Sequence, residues 1–167
     1  MSLTDADIAA ALAPAGLEFI ERELSEVALP LRPNKSAAGS VPKDGRFDAE
    51  PDDVVDVDDL DMVAKVNAGW LRMATEFGLL DGRREFLLSV DYTEDVHEPE
   101  RAWVRVRLAE QWDLAGSGVE QLRGHFAAVF TTRFVPEFWV LSLNQRVLMN
   151  TTIWGNGTVS TIVIHPQ

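Results

Sequence analysis

Four side chains in the second half of the sequence carry the chemistry that a small-molecule pocket would need. Asp91 and His125 are ionisable, Tyr92 offers a hydroxyl group and Trp103 offers a flat apolar surface. A carboxylate or an imidazole can transfer protons at neutral pH once its pKa is suitably shifted. Asp91 and Tyr92 are adjacent in a predicted strand, so their side chains point to opposite faces and only one of them can enter a pocket. We interpret His125 as a half-buried helix residue, with a role as general base as the competing interpretation.

Motifs for other catalytic and metal chemistry are missing from the sequence. The chain has no Cys, which excludes disulfides, thiolate nucleophiles and Cys-based metal sites. Its three histidines occur without a Gly-x-Ser-x-Gly elbow or a His-Glu-x-x-His motif. The acidic turn around His97 has no known metal-loop spacing, and the Asp-rich run at 52–61 lacks the Gly and Glu of an EF-hand. We therefore expect no metal and no cofactor, name no catalytic residue, and lean toward a protein that is not an enzyme.

The net charge excludes some partners and draws attention to one half of the chain. The 167 residues include 27 acidic and 15 basic side chains, a formal net charge of -12. Nucleic acid and anionic membrane surfaces need a basic face, so we expect neither as a partner. Residues 1–80 hold 16 acidic and 7 basic side chains (net -9), whereas residues 81–167 hold 11 and 8 (net -3). The excess negative charge therefore belongs mainly to the N-terminal half.

The densest acidic run, 48–61, allows two interpretations. The plainer one is a solubilising segment that also caps the helix after it, because acidic residues are favoured in a first helical turn. The other is an acidic arm that binds a basic protein, with the interleaved valines at 54, 55 and 57 as apolar anchors. The partner-binding carboxylates would then be those of Asp52, Asp53, Asp56 and Asp58.

Helices are predicted mainly in the N-terminal half. Thr4 or Asp5 can cap a first helix, which Pro14 and Gly16 interrupt. Apolar residues at helical spacing predict a second helix over 17–27, and another apolar face, with Gly78 at its end, predicts a long helix over 60–77. The Pro-containing segment 31–53 between them has hardly any large apolar residue, and we expect a mobile loop there.

Strands dominate the second half. Period-two alternation over 86–92 and 102–109 predicts an antiparallel hairpin, and three further strands are predicted at 138–143, 146–154 and 158–164. Between these groups, Ser117 and Glu120 have the spacing of a capping box and favour a helix to about residue 130. Alternating aromatic residues from Phe126 onward leave a strand open as the alternative.

The second hairpin strand predicts contact with something other than water on both faces. Trp103, Arg105 and Arg107 share one face, while the opposite face is apolar. Trp and Arg together are favoured at protein interfaces. We therefore include Arg105 and Arg107 among the candidate partner-binding residues, and we expect the chain to form a homodimer.

The elements add up to one α+β domain over residues 1–167, with N-terminal helices packed on one face of a curved antiparallel sheet. Their order is similar to that of the cone-shaped nuclear transport factor 2-like fold, in which helices and a bent sheet enclose a pocket. This resemblance rests on element order alone, and a shared fold does not establish a shared function. The start of the sequence lacks a signal-peptide pattern and no apolar run could span a bilayer, so we expect a cytoplasmic protein.

Two classes of function follow, with a third that fits the same composition. The first is a non-enzymatic module with an acidic N-terminal half that binds another protein, such as a basic one, or associates with itself. The alternative is a cone-shaped pocket protein that binds or isomerises a small apolar molecule and uses Asp91, Tyr92, Trp103 or His125. A structural subunit of a virus particle would have the same composition.

Overall fold

A computed structural model describes residues 2–27, 52–93, 100–122, 137–153 and 157–165, together with the backbone of two short strands between residues 42 and 47. Over this part of the chain the fold is α+β, as predicted, with two helices and a seven-stranded antiparallel sheet. The elements are, in chain order, α1 (Asp5–Leu12), β1 (Leu17–Arg22), β2 (Pro42–Lys43), β3 (Arg46–Phe47), β4 (Asp53–Asp56), α2 (Met62–Glu76), β5 (Glu85–Asp91), β6 (Arg101–Leu108), β7 (Phe138–Leu141), β8 (Leu148–Ile153) and β9 (Thr158–Ile164).

The large sheet has the strand order β1-β6-β5-β7-β8-β9-β4, and β2 pairs with β3 in a separate two-stranded sheet. The β5–β6 hairpin and the β7–β8–β9 meander confirm the strands predicted in the second half. The two outermost strands, β1 and β4, both come from the N-terminal half of the chain. As a result, acidic N-terminal residues lie along both edges of the sheet.

One face of the sheet, called here the inner face, is covered by α1 and α2. The indole of Trp70 on α2 packs against Phe86 of β5 and Phe138 of β7, with ring centroids 5.6 and 6.4 Å apart. All three side chains are at most 1% exposed. Aromatic rings therefore fill the space between helix and sheet in which a cone-shaped fold would hold its pocket.

The opposite face, called here the outer face, also carries buried apolar side chains. They form a cluster separate from the main core, made of Leu87, Leu141, Leu148, Ile162 and Ile164, with Val27, Trp103, Trp139 and Leu143 packed against it. Both faces of the central strands are therefore buried within one chain. The two-sided burial predicted for β6 is present, and it does not require a second copy.

Helix α1 begins and ends as its sequence predicts. The Thr4 hydroxyl accepts a hydrogen bond from the Asp7 amide, and the Asp7 carboxylate accepts one from the Thr4 amide, which completes a capping box. Ile8 and Leu12 are fully buried. Gly16 then takes a φ of 79°, and the chain turns into β1.

The predicted second helix over 17–27 is wrong, because residues 17–22 form strand β1. Leu17 pairs with Leu108 and Phe19 with Val106 in an antiparallel ladder with β6. A bulge between Phe19 and Glu21 then shifts the register. Cross-strand packing thus decides the local structure over the helical spacing of the apolar residues.

Helix α2 is confirmed, but it begins at Met62, two residues later than predicted. Leu60 therefore lies outside the helix and is fully exposed, not part of its core face. The helix ends at Glu76 with Phe77 as its C-cap, and Gly78 follows with a φ of 77°, as a terminal glycine should.

The acidic run contains an edge strand, which the sequence did not predict. Asp53–Asp56 forms β4 and pairs with β9, where Val55 lies opposite Val159. Val55 is buried and Val57, which is half-buried, packs against the same small cluster, so both contribute to packing within the chain. Most of the loop predicted at 31–53 lies outside the described residues.

The capping box predicted at Ser117 is not formed, since its hydroxyl donates to the Leu114 carbonyl. A short 3-10 turn occupies Glu120–Leu122, and the rest of the predicted helix, 123–130, lies outside the described residues. Neither of the helices described, α1 or α2, has the length and apolar composition needed to cross a bilayer.

Candidate functional site

The acidic run becomes an exposed surface at one edge of the sheet. We name residues 52–61, which form β4 and the turn leading into α2, the acidic edge. Asp56, Asp58 and Asp61 are exposed there. Two apolar side chains lie among them, Val54 at 50% exposure and Leu60, which is fully exposed. The surface thus combines exposed carboxylates with accessible apolar groups.

Two of the four aspartates predicted to bind a partner make contacts within the fold. The Asp52 carboxylate accepts a hydrogen bond from the Val163 amide at 2.7 Å and so extends the β4–β9 pairing. The Asp53 carboxylate lies against α2 at Gly69, where any larger residue would place its Cβ onto a carboxylate oxygen. These contacts hold β4 against β9 and α2.

The other two candidates, Asp56 and Asp58, are exposed and adjacent on the turn. Asp56 Oδ1 accepts a hydrogen bond from the Asp58 amide at 2.8 Å, which orders the turn. Farther along, Asp59 pairs with Lys65 at 2.6 Å, and the hydrogen bond from that ammonium lowers the pKa of Asp59. The turn thus holds Asp56 and Asp58 at the surface, beside the Asp59–Lys65 ion pair.

The main chain of β4 has a second edge that does not face β9. The Val57 amide donates to the Gly157 carbonyl at 3.0 Å, and the register continues in steps of two through Val55 and Asp53. In an antiparallel ladder the alternate residues point their main-chain groups the other way. Val54 and Asp56 are these alternate residues, so the main chain of Val54 and the amide of Asp56 point away from β9, while the Asp56 carbonyl accepts from the Asp59 amide at 3.1 Å.

The structure places Asp91 and Tyr92 on opposite faces, as their adjacency predicted. The Asp91 carboxylate accepts hydrogen bonds from the Thr93 amide and hydroxyl, both at 2.9 Å, and from the Glu100 amide at 3.1 Å. Burial raises the pKa of Asp91, but these hydrogen bonds outweigh it, and the pKa lies below its ordinary value. Asp91 therefore closes the β5–β6 turn as a carboxylate.

Tyr92 lies on the inner side, where its hydroxyl donates to Asp5 at 2.8 Å. The Arg22 guanidinium sits 3.7 Å from the centre of its ring. Burial, followed by the hydrogen bond to Asp5, raises the pKa of Tyr92 to about 12. The phenol stays protonated at neutral pH and ties α1 and β1 to β5.

An open cavity of about 500 Å³ lies beside this group along the β1 edge. Arg22 in its wall is paired with Asp5 at 3.0 Å, and Leu24 is 88% exposed. The cavity combines apolar and charged groups and is lined by Asp5, Phe19, Ile20, Glu21, Arg22 and Leu24. Its openness makes it a surface groove and not an enclosed site.

Arg105 and Arg107 share the outer face with Trp103, as predicted, but they are held by a buried carboxylate. Glu85 is 2% exposed, and its two oxygens lie 2.7 Å from Arg105 and 3.3 Å from Arg107. Burial raises the pKa of Glu85, but the two guanidinium hydrogen bonds lower it below its ordinary value. Arg107 also reaches Glu18 at 3.4 Å. Both arginines thus take part in ion pairs within the chain.

Two buried polar atoms on the outer face have no hydrogen-bond partner, and sequence reasoning missed them. Asn150 Nδ2 and Thr152 Oγ1 lie on β8, in side chains that are 3% and 4% exposed. An Asn inside a strand with apolar neighbours is unusual, and that was the available signal. Trp70 Nε1 is unpartnered as well, within the main core.

The four predicted pocket residues are not brought together over the described residues. Asp91 and Trp103 lie on the outer face and Tyr92 on the inner face, whereas His125 lies outside the described residues. Among the residues that the structure describes, no three His, Asp or Glu side chains are arranged to hold a metal ion.

Comparisons with protein-family models, with curated proteins and with solved structures found no match to this chain.

Proposed function

We propose that this chain is a non-enzymatic protein-binding module whose acidic edge binds a basic, extended segment of another protein. The observation that carries the proposal is that β4 is the outermost strand of the described sheet, where the exposed side chains of Asp56 and Asp58 follow that of Val54 at steps of two residues. An unpaired strand edge can add a strand from a partner through main-chain hydrogen bonds. Carboxylates beside it favour lysine and arginine on that strand. The absence of Cys fits a reducing compartment, and we place the interaction in the cytoplasm.

A basic partner fits this edge better than a second copy of the chain. Pairing β4 with the β4 of another copy would bring Asp56 and Asp58 of both copies together. Like charges directly opposed across a strand pair are destabilising. Homodimerisation remains a prediction from the sequence, and it would have to use another surface.

The proposal is tested with a synthetic peptide of alternating valine and lysine. We expect it to bind the full chain in a salt-dependent manner and to shift the backbone amide resonances of Val54 and Asp56. In the double variant Asp56→Asn/Asp58→Asn the affinity falls by about tenfold, because two rim carboxylates are lost. Isothermal titration calorimetry measures the affinity.

The matched control removes the same number of charges elsewhere. Glu76 and Glu110 are exposed and lie outside the acidic edge, so Glu76→Gln/Glu110→Gln keeps the net charge equal to that of the test variant. We expect the control to bind within about twofold of the unmodified chain. Equal weakening in both variants, or equal binding of a valine–glutamate peptide, would contradict the proposal, since the attraction would then be unspecific.

A further inference from the structure

We propose that Asn150 and Thr152 form a binding site on the outer face for a neutral small molecule that has an apolar body and one oxygen acceptor. This site is separate from the acidic edge, and it takes a different class of ligand. It also differs from the pocket that the sequence predicted, because neither residue was a candidate there.

The two side chains are placed to act together. They are two positions apart on β8, so they project from the same face, with Cα atoms about 6.6 Å apart. Strand β8 lies between β7 and β9 and is not at an edge of the sheet. One oxygen between the two side chains can accept from the amide N–H of Asn150 and from the hydroxyl of Thr152, since each hydrogen bond spans about 2.9 Å.

The neighbouring side chains favour an apolar body around that oxygen. Asn150 lies between Trp139 and Ile162 in the sheet register. The hydroxyl of Ser160, opposite Thr152, is already bonded to that of Thr158 at 3.2 Å. A buried water usually makes about three hydrogen bonds, and here two groups lack a partner. A ligand with a single acceptor uses both groups and places its carbon atoms against Trp139 and Ile162.

The absence of charge on both groups favours a neutral ligand. A buried ion needs a counter-charge, and neither Asn150 nor Thr152 supplies one. On the same face, Arg105 pairs with Glu85, and Arg107 pairs with both Glu85 and Glu18. The matching acceptors are therefore ketones, esters and alcohols, and carboxylates are excluded.

The third unpartnered atom, Trp70 Nε1, does not form a comparable site. It lies on the inner face among Phe86, Trp112 and Phe138. Among the described residues, no second unpartnered polar atom lies on the inner face near Trp70 Nε1. Asn150 and Thr152 are distinguished because they occur as a pair on one face.

Three probes of nearly equal shape test the proposal on the full chain. Acetophenone is neutral and has one acceptor, α-methylstyrene has the same shape without the acceptor, and benzoate has charged acceptors. At equal concentrations, we expect acetophenone alone to shift the side-chain amide resonances of Asn150 in ¹H–¹⁵N spectra. These resonances are identified by their loss in Asn150→Leu.

Variants on the two faces of β8 separate binding from stability. Thr152→Val removes the unpartnered hydroxyl and keeps the shape, so we expect the affinity for acetophenone to fall about tenfold while Tm is unchanged or higher. Thr151→Val is the matched control on the inner face. Its hydroxyl is bonded to that of Thr161 at 2.9 Å, so its loss lowers Tm and leaves binding unchanged.

Three outcomes would overturn the proposal. The first is that acetophenone leaves the Asn150 resonances in place, which means a bridging water only. The second is that α-methylstyrene or benzoate binds as well as acetophenone, which removes the selection for one neutral acceptor. The third is that Thr152→Val binds acetophenone as well as the unmodified chain does. None of these outcomes bears on the valine–lysine peptide and the acidic edge.

Discussion

The carboxylate of Asp91 accepts three hydrogen bonds from the turn that joins β5 to β6. Residues of this type at a strand end attract a catalytic interpretation, because burial can shift their pKa. Here the shift is downward, since the donors Thr93 and Glu100 stabilise the charged form more than burial disfavours it. The Asp91 carboxylate therefore holds Thr93 and Glu100 in place by hydrogen bonds.

The lowered pKa of Asp91 predicts how stability changes with pH. A carboxylate whose pKa is lower in the folded than in the unfolded state stabilises the fold above the unfolded pKa, about 3.9 for Asp. That stabilisation is lost as the pH falls through the folded pKa. We expect urea unfolding to show a smaller loss of stability for Asp91→Asn than for the unmodified chain between about pH 5 and pH 3. If the free energy of unfolding fell equally with pH in the two proteins, this role of Asp91 would be contradicted.

Residue types could be predicted from the sequence more readily than their partners. The opposite orientations of Asp91 and Tyr92 follow from strand alternation alone. The bond from Tyr92 to Asp5 could not be predicted, because it depends on how α1 packs against the sheet. The same holds for Glu85, whose pairing with two arginines requires the register of β5 against β6.

At the scale of elements, the helices and strands whose apolar residues recur with one clear period were predicted correctly. Strands β5 to β9 and helix α2 each combine a regular apolar spacing with a turn or cap at an end. Strand β1 was missed because its bulge breaks the alternation after Phe19 and leaves Leu17, Ile20 and Leu24 at helical spacing. Strand β4 was missed because aspartates are rare in strands, and its burial comes from Val55 alone.

The turn from α1 into β1 depends on one glycine. Gly16 has a φ of 79°, and a Cβ there would collide with the backbone at Gln111 and Trp112. We expect Gly16→Ala to lower the free energy of unfolding by about 3 kcal/mol, from the left-handed backbone and the collision together. Urea titration measures this value.

Gly82 provides the control for this substitution, because a Cβ at that position meets no atom within 4 Å. Gly82→Ala should change the free energy of unfolding by less than about 0.5 kcal/mol. If the two variants were equally stable, the close approach of the loop at Gln111 and Trp112 would not constrain residue 16.

At the scale of the whole molecule, most of the net charge of -12 belongs to the N-terminal half, which also supplies both outermost strands of the sheet. Composition alone gave the amount of charge and its location in the sequence. It could not place β1 and β4 at opposite edges, because that arrangement depends on long-range strand pairing. The position of the charge on the molecule therefore depends on the strand order as well as on composition.

Clustered carboxylates repel one another, and salt screens that repulsion. We expect the Tm of the unmodified chain to rise by a few degrees as sodium chloride is added to a low-salt buffer. The rise should be smaller in Asp56→Asn/Asp58→Asn than in Glu76→Gln/Glu110→Gln, because the first pair lies within the dense cluster. Differential scanning calorimetry measures Tm at each salt concentration. If Tm rose equally with salt in both variants, the effect would depend on net charge and not on the position of the carboxylates.

The pairing of β4 with β9 also sets an order of events during synthesis. Asp53 and its partner, Thr161, are 108 positions apart in the chain, so β4 leaves the ribosome well before β9 does. Until then β4 is a strand without a neighbour, and such strands recruit other chains into aggregates. The aspartates of the acidic edge repel the same strand of a second nascent chain, so they protect the unfinished protein as well as shape the surface of the finished one.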